Sequence, residues 1–465
     1  MKKLRWAMDG DFWELDVSTP RTLEGTARAV PGDPLPLGLS RGTRLSRPKQ
    51  IDFFQRFMTT PCVPSYSSGT GFTLQRVLTI PFAEKWISSF LGQFNMTKFV
   101  SSMKENNVLQ QPKSTWVRNI GKVLKDKTLY ALGFSSDFLL TSDDTLLVSL
   151  DSYGDNSNNP RKKAVFYHRF PHHDLTVEAV WPGLFVDKKG NYWEVPLSMA
   201  VDLASVAADS GASYHLSVHH NDGSPEQFEG DQVAQVPATL LPGFAVKSAF
   251  SYKKNVNIWK SKAKMLPMVQ PYDIFLSNPQ VSASGIIGAA VTAAFGENSV
   301  RSQVVDDTQG FKGFSFHAPT SKSSILADTF ASLSFTAQLG NFQRLFADLT
   351  RFHARLDFLS GSKFLSGANR LAQDYFNSRQ PSTEAVKAIC PRATLSLQQQ
   401  IAGPFSFRVD SGVLVDIEDK NWSVHIDEPV FALEYALQVL GSAKAVAWYS
   451  PKHKEFMIEL RFFET

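Results

Sequence analysis

The last eleven residues of the chain, EFMIELRFFET, alternate between apolar and polar positions. Phe456, Ile458, Leu460 and Phe462 fall on one side, and Glu455, Met457, Glu459 and Arg461 fall on the other. Because successive side chains of an extended strand point to opposite faces, this pattern predicts a strand with one apolar wall and one mostly polar wall. The apolar wall needs a cover, which is either a protein core or the hydrocarbon of a membrane.

Similar short apolar and polar runs, divided by turn signals, extend from about residue 129 to the end of the chain. LYALGFSSDFLLTSDDTLLVSLDSYG predicts a hairpin that turns at residues 142–144, and GLFVDKKGNYWEVPLSMAVDL predicts one that turns at residues 188–190. We count about 16 strands in an all-β chain. The pattern alone slightly favours a soluble all-β or α+β protein. Strands of about ten residues, such as LTRFHARLDF, favour a transmembrane antiparallel β-barrel, because a tilted strand of that length crosses a bilayer.

The first 127 residues follow a different pattern. Proline and glycine interrupt residues 1–80, whereas residues 82–124 place aromatic and apolar residues near helical spacing and predict two amphipathic helices. The first helix is predicted from the spacing of Trp86, Phe90, Phe94 and Phe99. The second is predicted from STWVRNIGKVLKDK, with Ser114 or Thr115 as its cap. We therefore expect a mixed, partly helical N-terminal region over residues 1–127 and a barrel domain over residues 128–465.

Composition narrows the class of protein. Apolar residues make up 43% and charged residues 20% of 465 residues, and 36 phenylalanines make disorder throughout improbable. Cys62 and Cys390 form neither a disulfide framework nor a thiolate metal site. No segment has 18 consecutive apolar residues, so the sequence offers no candidate for a spanning helix. We expect no cofactor.

Two basic clusters carry the clearest chemistry. The first contains Arg41, Arg44, Arg47, Lys49 and Arg56, and the second contains Arg118, Lys122, Lys125 and Lys127. The aromatic segment DFFQRFM overlaps the first cluster, and guanidinium groups pair well with phosphate oxygens. The clusters predict a surface for anionic lipid, although an ordinary solvated surface is the alternative. A nucleic-acid partner is disfavoured, because the chain has no recognition-helix, zinc-finger or RNP-type signature.

Two other motifs indicate chemistry less specifically. GLSRG resembles the nucleophile elbow of lipases and would make Ser40 a nucleophile, but prolines occupy the preceding strand position, which favours a turn. A shared H-x-x-x-H-H pattern places histidines at 168, 172 and 173 and again at 215, 219 and 220. Two such strands side by side would offer imidazole metal ligands, but Pro171 and the turn signal HHND favour surface or lumen histidines. We expect neither a catalytic nor a metal site.

Several long stretches closely resemble the plant trigalactosyldiacylglycerol 4 proteins of the chloroplast. They are GTARAVPGDPLPLGLSRGTRLSRPKQ, EAVWPGLFVDKKGNYWEVPLSMAVDLAS, SGIIGAAVTAAFGENS, LTRFHARLDF, SLQQQIAGPFSFRVDSG and YSPKHKEFMIELRFFET. The resemblance extends from the first residues to the last. It implies a β-barrel of the chloroplast outer envelope that is distantly similar to bacterial lipopolysaccharide-assembly barrels.

The resemblance also implies a function without catalysis. Members of the family bind phosphatidic acid, act in lipid import from the endoplasmic reticulum, form homodimers and work with an ABC-type lipid importer of the inner envelope. Their phosphatidate-binding regions correspond here to the segments that contain the two basic clusters. We therefore expect a passive conduit or acceptor for phosphatidic acid and related glycerolipids. A soluble binding or scaffold protein and a Ser40-dependent lipase are the alternatives.

Overall fold

The fold is seen in a computed structural model. It describes residues 28–30, 62–67, 71–105, 113–154, 160–186, 192–205, 210–228, 236–259, 279–295, 314–318, 323–340, 349–378, 380, 382–418, 421–436, 443–452 and 454–462.

Strands dominate the described residues. The strands are β1 (Arg28–Ala29), β2 (Val63–Ser67), β3 (Gly71–Ala83), β4 (Trp86–Asn95), β5 (Tyr130–Leu139), β6 (Asp144–Tyr153), β7 (Arg161–Arg169), β8 (His173–Trp181), β9 (Gly183–Val186), β10 (Tyr192–Val195), β11 (Leu197–Ser205), β12 (Ala212–Asp222), β13 (Glu226–Phe228), β14 (Gly243–Asn257), β15 (Gln280–Phe295), β16 (Phe314–Ala318), β17 (Ser323–Leu339), β18 (Thr350–Phe358), β19 (Arg392–Ala402), β20 (Phe405–Glu418), β21 (Asn421–Ala436), β22 (Ala443–Ser450) and β23 (Glu455–Phe462). The helices are α1 (Met96–Glu105), α2 (Lys113–Leu124), α3 (Gly361–Phe376) and α4 (Thr383–Ile389).

Eighteen of these strands form a closed antiparallel barrel. Each strand pairs with the next along the chain, from β2 to β8 and then through β11, β12, β14, β15 and β17 to β23. The ring closes where β23 pairs with β2, with Tyr66 opposite Phe456. β16 adds a short pairing to β17. The predicted all-β barrel is confirmed, and the count of about 16 strands falls slightly short of the 18 observed.

The two faces of the barrel wall have opposite chemistry. In β12, for example, Tyr214 and Leu216 are exposed, whereas His215, Ser217 and His219 are buried. The same alternation, with large apolar side chains exposed and polar ones buried, recurs around the ring. Soluble proteins bury their apolar face, so this inverted arrangement identifies a transmembrane barrel whose outer wall contacts hydrocarbon. The apolar face of the barrel wall is therefore covered by lipid and not by a protein core.

The described helices lie at one end of the barrel. We call one end the turn rim, where short connections occupy residues 84–85, 140–143, 170–172 and 403–404. At the opposite end, the helical rim, the antiparallel strand order places all four described helices. A small sheet in the order β1, β9, β10 and β13 also belongs to this end, around a core that contains Phe185, Trp193 and Leu240. The rims are therefore the places where the chain presents structure other than barrel wall.

The first predicted helix is wrong over its first half. Trp86, Phe90 and Phe94 belong to strand β4, and the helix α1 begins only at Met96. A spacing of four residues places side chains on one face of a helix, but also on one face of a strand, because four is a multiple of two. Phe90 and Trp86 lie exposed on the outer wall. None of the described helices is long and apolar enough to cross a membrane.

The second predicted helix is confirmed as α2, although it starts at Lys113, so Ser114 and Thr115 lie inside its first turn. The barrel begins well before residue 128, because β2, β3 and β4 are hydrogen-bonded members of the ring. The helices α1 and α2 therefore form an insertion between the adjacent strands β4 and β5. The sequence pattern did not predict that the barrel starts before these helices, since the helices interrupt the run of hairpins.

The inverted wall leads to a testable prediction. Val201 is exposed on the outer face near the middle of β11. In hydrocarbon, Val201→Arg is expected to lower the free energy of unfolding by about 2–4 kcal/mol, because the charge loses its hydration. Denaturant titration of the barrel folded into vesicles measures this. Val201→Ala is the control and should have a far smaller effect. Equal stability of the arginine variant and the parent would contradict a lipid-facing wall.

Candidate functional site: a basic helical hairpin at one rim

The helices α1 and α2 leave the barrel at the end of β4 and return at the start of β5. Asn95, the last residue of β4, caps α1, because its Oδ1 accepts a hydrogen bond of 2.9 Å from the backbone N of Lys98. Thr97 Oγ1 accepts a second bond, of 2.7 Å, from the backbone N of Phe72 in β3. These contacts fix the first turn of α1 to two strands of the barrel.

Gly71 makes this close approach possible. Its φ angle of +77° lies in the left-handed region, and a Cβ atom at this position would lie 2.5 Å from Thr97 Oγ1. Any side chain here would therefore push α1 away from β3 as well as strain the backbone.

An apolar underside holds the two helices together. Met103 of α1, Val123 of α2 and Leu129 form a buried cluster, against which Phe99 and Ile120 pack. The end of α2 is fixed by the Tyr130 hydroxyl, which donates a 2.9 Å hydrogen bond to the backbone oxygen of Leu124. Burial of this side leaves the opposite side of α2 facing solvent.

The solvent side of α2 carries the second predicted basic cluster. Arg118, Lys122, Lys125 and Lys127 are all exposed. Their spacing of four and three residues places the first two along one helix face, and that face continues to Lys125 just after the helix. Residues 96–105 and 113–130 contain seven Lys or Arg and two acidic residues, Glu105 and Asp126. The structure thus brings the predicted cluster together as one cationic surface.

Asp126 orders the segment between Lys125 and Lys127. Its Oδ1 accepts hydrogen bonds from the backbone N of Thr128, at 2.9 Å, and from Thr128 Oγ1, at 2.8 Å. The backbone and side-chain hydrogen bonds from Thr128 lower the pKa of the Asp126 carboxyl below its ordinary value, and the positive charge of Lys98 contributes further. An acidic residue thus acts here as a capping group within a basic surface.

The first predicted cluster lies outside the described residues. This holds for Arg41, Arg44, Arg47, Lys49 and Arg56, and also for Ser40. The binding role of these residues stays a prediction.

Sequence reasoning missed the charged groups of the barrel interior. Arg355 Nε lies 2.6 Å from Asp357 Oδ1, and Arg408 bridges Asp410 and Glu434, at 3.0 Å each. All these side chains are buried. The signal was present, since Arg and Asp occur at i and i+2 in both RLD and RVD, and the period of a strand puts such pairs on one face. A polar lumen is a poor medium for acyl chains.

The first histidine group spans the turn between two strands, with His168 in β7, His172 in the turn and His173 at the start of β8, whereas the second group lies in β12. β11 lies between β8 and β12, so the side-by-side arrangement that a shared metal site requires is not formed. His168 Nδ1 lies 2.6 Å from Asp144 Oδ1 near the turn rim, and His215 Nε2 lies 3.3 Å from Asp202 Oδ1 inside the barrel. The described residues contain no group of three or more side chains that would hold a metal ion.

A closed barrel with an apolar outer wall, a polar lumen and a cationic helical hairpin at one rim defines a membrane-embedded β-barrel with a positively charged rim surface. No family model matches the chain. The chain is 58% identical over 479 aligned positions, covering all of both proteins, to the Arabidopsis thaliana protein TRIGALACTOSYLDIACYLGLYCEROL 4, chloroplastic. The chain belongs to the TRIGALACTOSYLDIACYLGLYCEROL 4 family, as its motifs predicted.

The cap at Asp126 gives a pH prediction. Since the folded-state pKa is lowered, the cap stabilises the hairpin fully above the ordinary value of 3.8 and loses this effect as the pH falls through the lowered value. Asp126→Ala should therefore increase amide hydrogen exchange at Thr128 at neutral pH, with a smaller difference from the parent at strongly acidic pH. Hydrogen exchange with mass spectrometry measures this. An unchanged exchange rate at neutral pH would contradict the capping role.

Proposed function

We propose that the protein binds phosphatidic acid in the chloroplast outer envelope and mediates lipid import from the endoplasmic reticulum to the plastid for galactolipid synthesis. The cationic face of α2 at the rim of a lipid-facing barrel is the observation that carries this proposal. The name of the Arabidopsis relative contains the name of a galactolipid and the word chloroplastic, which supports the part of the proposal that concerns galactolipid synthesis and the compartment.

The geometry suits a lipid with an exposed phosphate. At the rim, ammonium and guanidinium groups stand beside a wall that contacts hydrocarbon, so a headgroup can pair with them while its acyl chains stay in the membrane. A phosphomonoester carries more negative charge near neutral pH than an ordinary phosphodiester headgroup, since its second pKa is about 6. Charge then selects phosphatidic acid over lipids with blocked phosphates.

The route of the acyl chains follows from the polarity of the two walls. The buried charged pairs of β18, β20 and β21 would have to lose favourable contacts if hydrocarbon entered the lumen. The acyl chains therefore pass along the outer wall or a seam between strands, and the protein acts as a passive conduit or acceptor. It performs no catalysis.

The proposal includes an assembly. The protein works as a homodimer with an ABC-type lipid importer of the inner envelope, at sites where the outer envelope meets the endoplasmic reticulum. The long resemblance of the chain to its family supports this part. Cross-linking of the protein in intact envelopes tests it, since both a second copy and an importer subunit should be recovered.

A soluble all-β lipid-binding or scaffold protein was the alternative from the sequence. The exposed apolar rows of the barrel wall disfavour this alternative, because in a soluble protein they would form a large apolar surface in contact with water.

The α2 surface provides the test of lipid binding. Lys122→Gln combined with Lys125→Gln should weaken binding to phosphatidate-containing liposomes about 30-fold, because each basic residue near an anionic surface contributes about 1 kcal/mol. Flotation of liposomes at fixed low salt measures the affinity. Raised salt should reduce the difference between variant and parent.

The matched control removes two charges from the turn rim. Lys85 and Arg169 are exposed there, and Lys85→Gln combined with Arg169→Gln should leave binding nearly unchanged. If both double variants lose affinity equally, net charge rather than the α2 surface governs binding.

The first cluster is tested separately. Replacement of Arg41, Arg44 and Arg47 by Ala should sharply weaken phosphatidate binding while leaving the barrel folded, as judged by its circular dichroism. Unchanged liposome binding would reject the assignment of these three residues.

A further inference from the structure

A groove interrupts the outer wall of the barrel over β14, β15, β17 and β18, with a volume of about 410 Å³. Sites for small molecules range over roughly 300–1,000 Å³, so the groove has the size of a binding site. It is far from the α2 surface along the ring. We call it the β15 groove, because β15 forms its floor.

The floor is low because β15 carries small outward residues. Gly285 pairs with Tyr252 on one side and with Leu333 on the other, and Ala283 pairs with Lys254 and Phe335 in the same way. Tyr252, Leu333 and Phe335 are exposed, large side chains. Since neighbouring strands lie only about 4.8 Å apart, these side chains stand as walls on both sides of a trough. The described lining is almost entirely apolar.

One charged side chain lines the groove among the described residues, that of Lys254. The neighbouring strand β12 begins at Ala212, opposite Tyr252, so Lys254 lies beyond the start of that strand, at the turn rim. Exposed Ile258 and Trp259 follow it. Lysine and tryptophan at the end of a lipid-facing strand are typical of the level of the lipid headgroups.

We propose that the β15 groove holds one acyl chain of a membrane phosphoglyceride, whose phosphate pairs with the ammonium group of Lys254. The occupant follows from the surroundings, since the groove opens on the wall that contacts hydrocarbon and ends at the positive charge of Lys254. This is a lipid site at the rim opposite the α2 surface, so the barrel contacts phosphate-bearing lipid at both membrane faces. The site stands independently of the proposed phosphatidate capture by the basic clusters.

The test uses the full chain in nanodiscs of phosphatidylcholine with a small fraction of photoreactive lipid. One probe is phosphatidic acid with a diazirine on its acyl chain, and the other is diacylglycerol with the same chain. After irradiation, mass spectrometry locates the labelled peptides. Both probes should label β15 and β17 more than the rest of the outer wall, and the phosphatidate probe should label them most.

Two variants separate the floor from the charge. Ala283→Leu fills the floor and should reduce labelling of β15 and β17 severalfold with either probe. Lys254→Gln should reduce labelling by the phosphatidate probe about fivefold, the effect of one basic residue near an anionic group, and leave the diacylglycerol probe unaffected. Gly285→Ala adds a Cβ atom 3.6 Å from Leu333 Cδ2, an ordinary contact, and provides a milder filling if the leucine variant folds poorly.

Matched controls exist elsewhere on the barrel. Ala179 lies on the outer face of β8 opposite exposed Met199, so Ala179→Leu adds the same bulk outside the groove. Lys85→Gln removes a charge from the same rim. Both should leave labelling of the groove unchanged. Uniform labelling of the outer wall, or equal loss in Lys254→Gln and Lys85→Gln, would overturn the proposal.

Discussion

The absence of water in the hydrocarbon of a membrane is the constraint on which this structure depends. Each backbone N–H and C=O in that region must pair within the protein, because an unpaired group costs several kcal/mol. A sheet meets this requirement only when it has no free edge, and the pairing of β23 with β2 removes the edge. The first and last strands of the ring are therefore coupled, although nearly four hundred residues separate them along the chain.

Closure of the barrel also restricts where charged side chains can lie. Each strand has one wall in lipid and one in the lumen, so charged residues collect inside, where Arg355 and Arg408 lie beside acidic partners. Groups that meet lipid headgroups must then occupy the rims. The α2 surface lies at the helical rim and Lys254 lies at the turn rim, and each adjoins a different membrane face.

The helical hairpin illustrates how a barrel supports such a surface. Its helices are too short to be stable alone, and they depend on contacts with the strands from which they emerge. Thr97 and Asn95 attach the first turn of α1, and Met103 and Val123 pack under the helices. These contacts hold the backbone of the basic residues in place against the barrel wall, while their side chains remain in solvent.

Much of the barrel could be predicted from the chain, and the errors have clear causes. The hairpin of β5 and β6 was predicted with its turn, because alternation and turn residues are local signals. The strand β4 was not predicted, since Trp86, Phe90 and Phe94 fit the period of a helix and of a strand alike. The second basic cluster was predicted as a set, because one helical face needs only sequence spacing. The β15 groove was not, because its floor and walls come from different strands whose register the sequence does not contain.

By itself, the sequence determined the alternating walls, the strand-rich class, the family and the residues available to bind anions, because periodicity, composition and motifs are properties of neighbours along the chain. Only the tertiary structure decided that the apolar wall faces outward, that the ring closes between β2 and β23, and which residues meet at each rim. Those facts depend on pairing between distant strands, and alternation is the same whether the apolar side of a strand covers a core or contacts lipid.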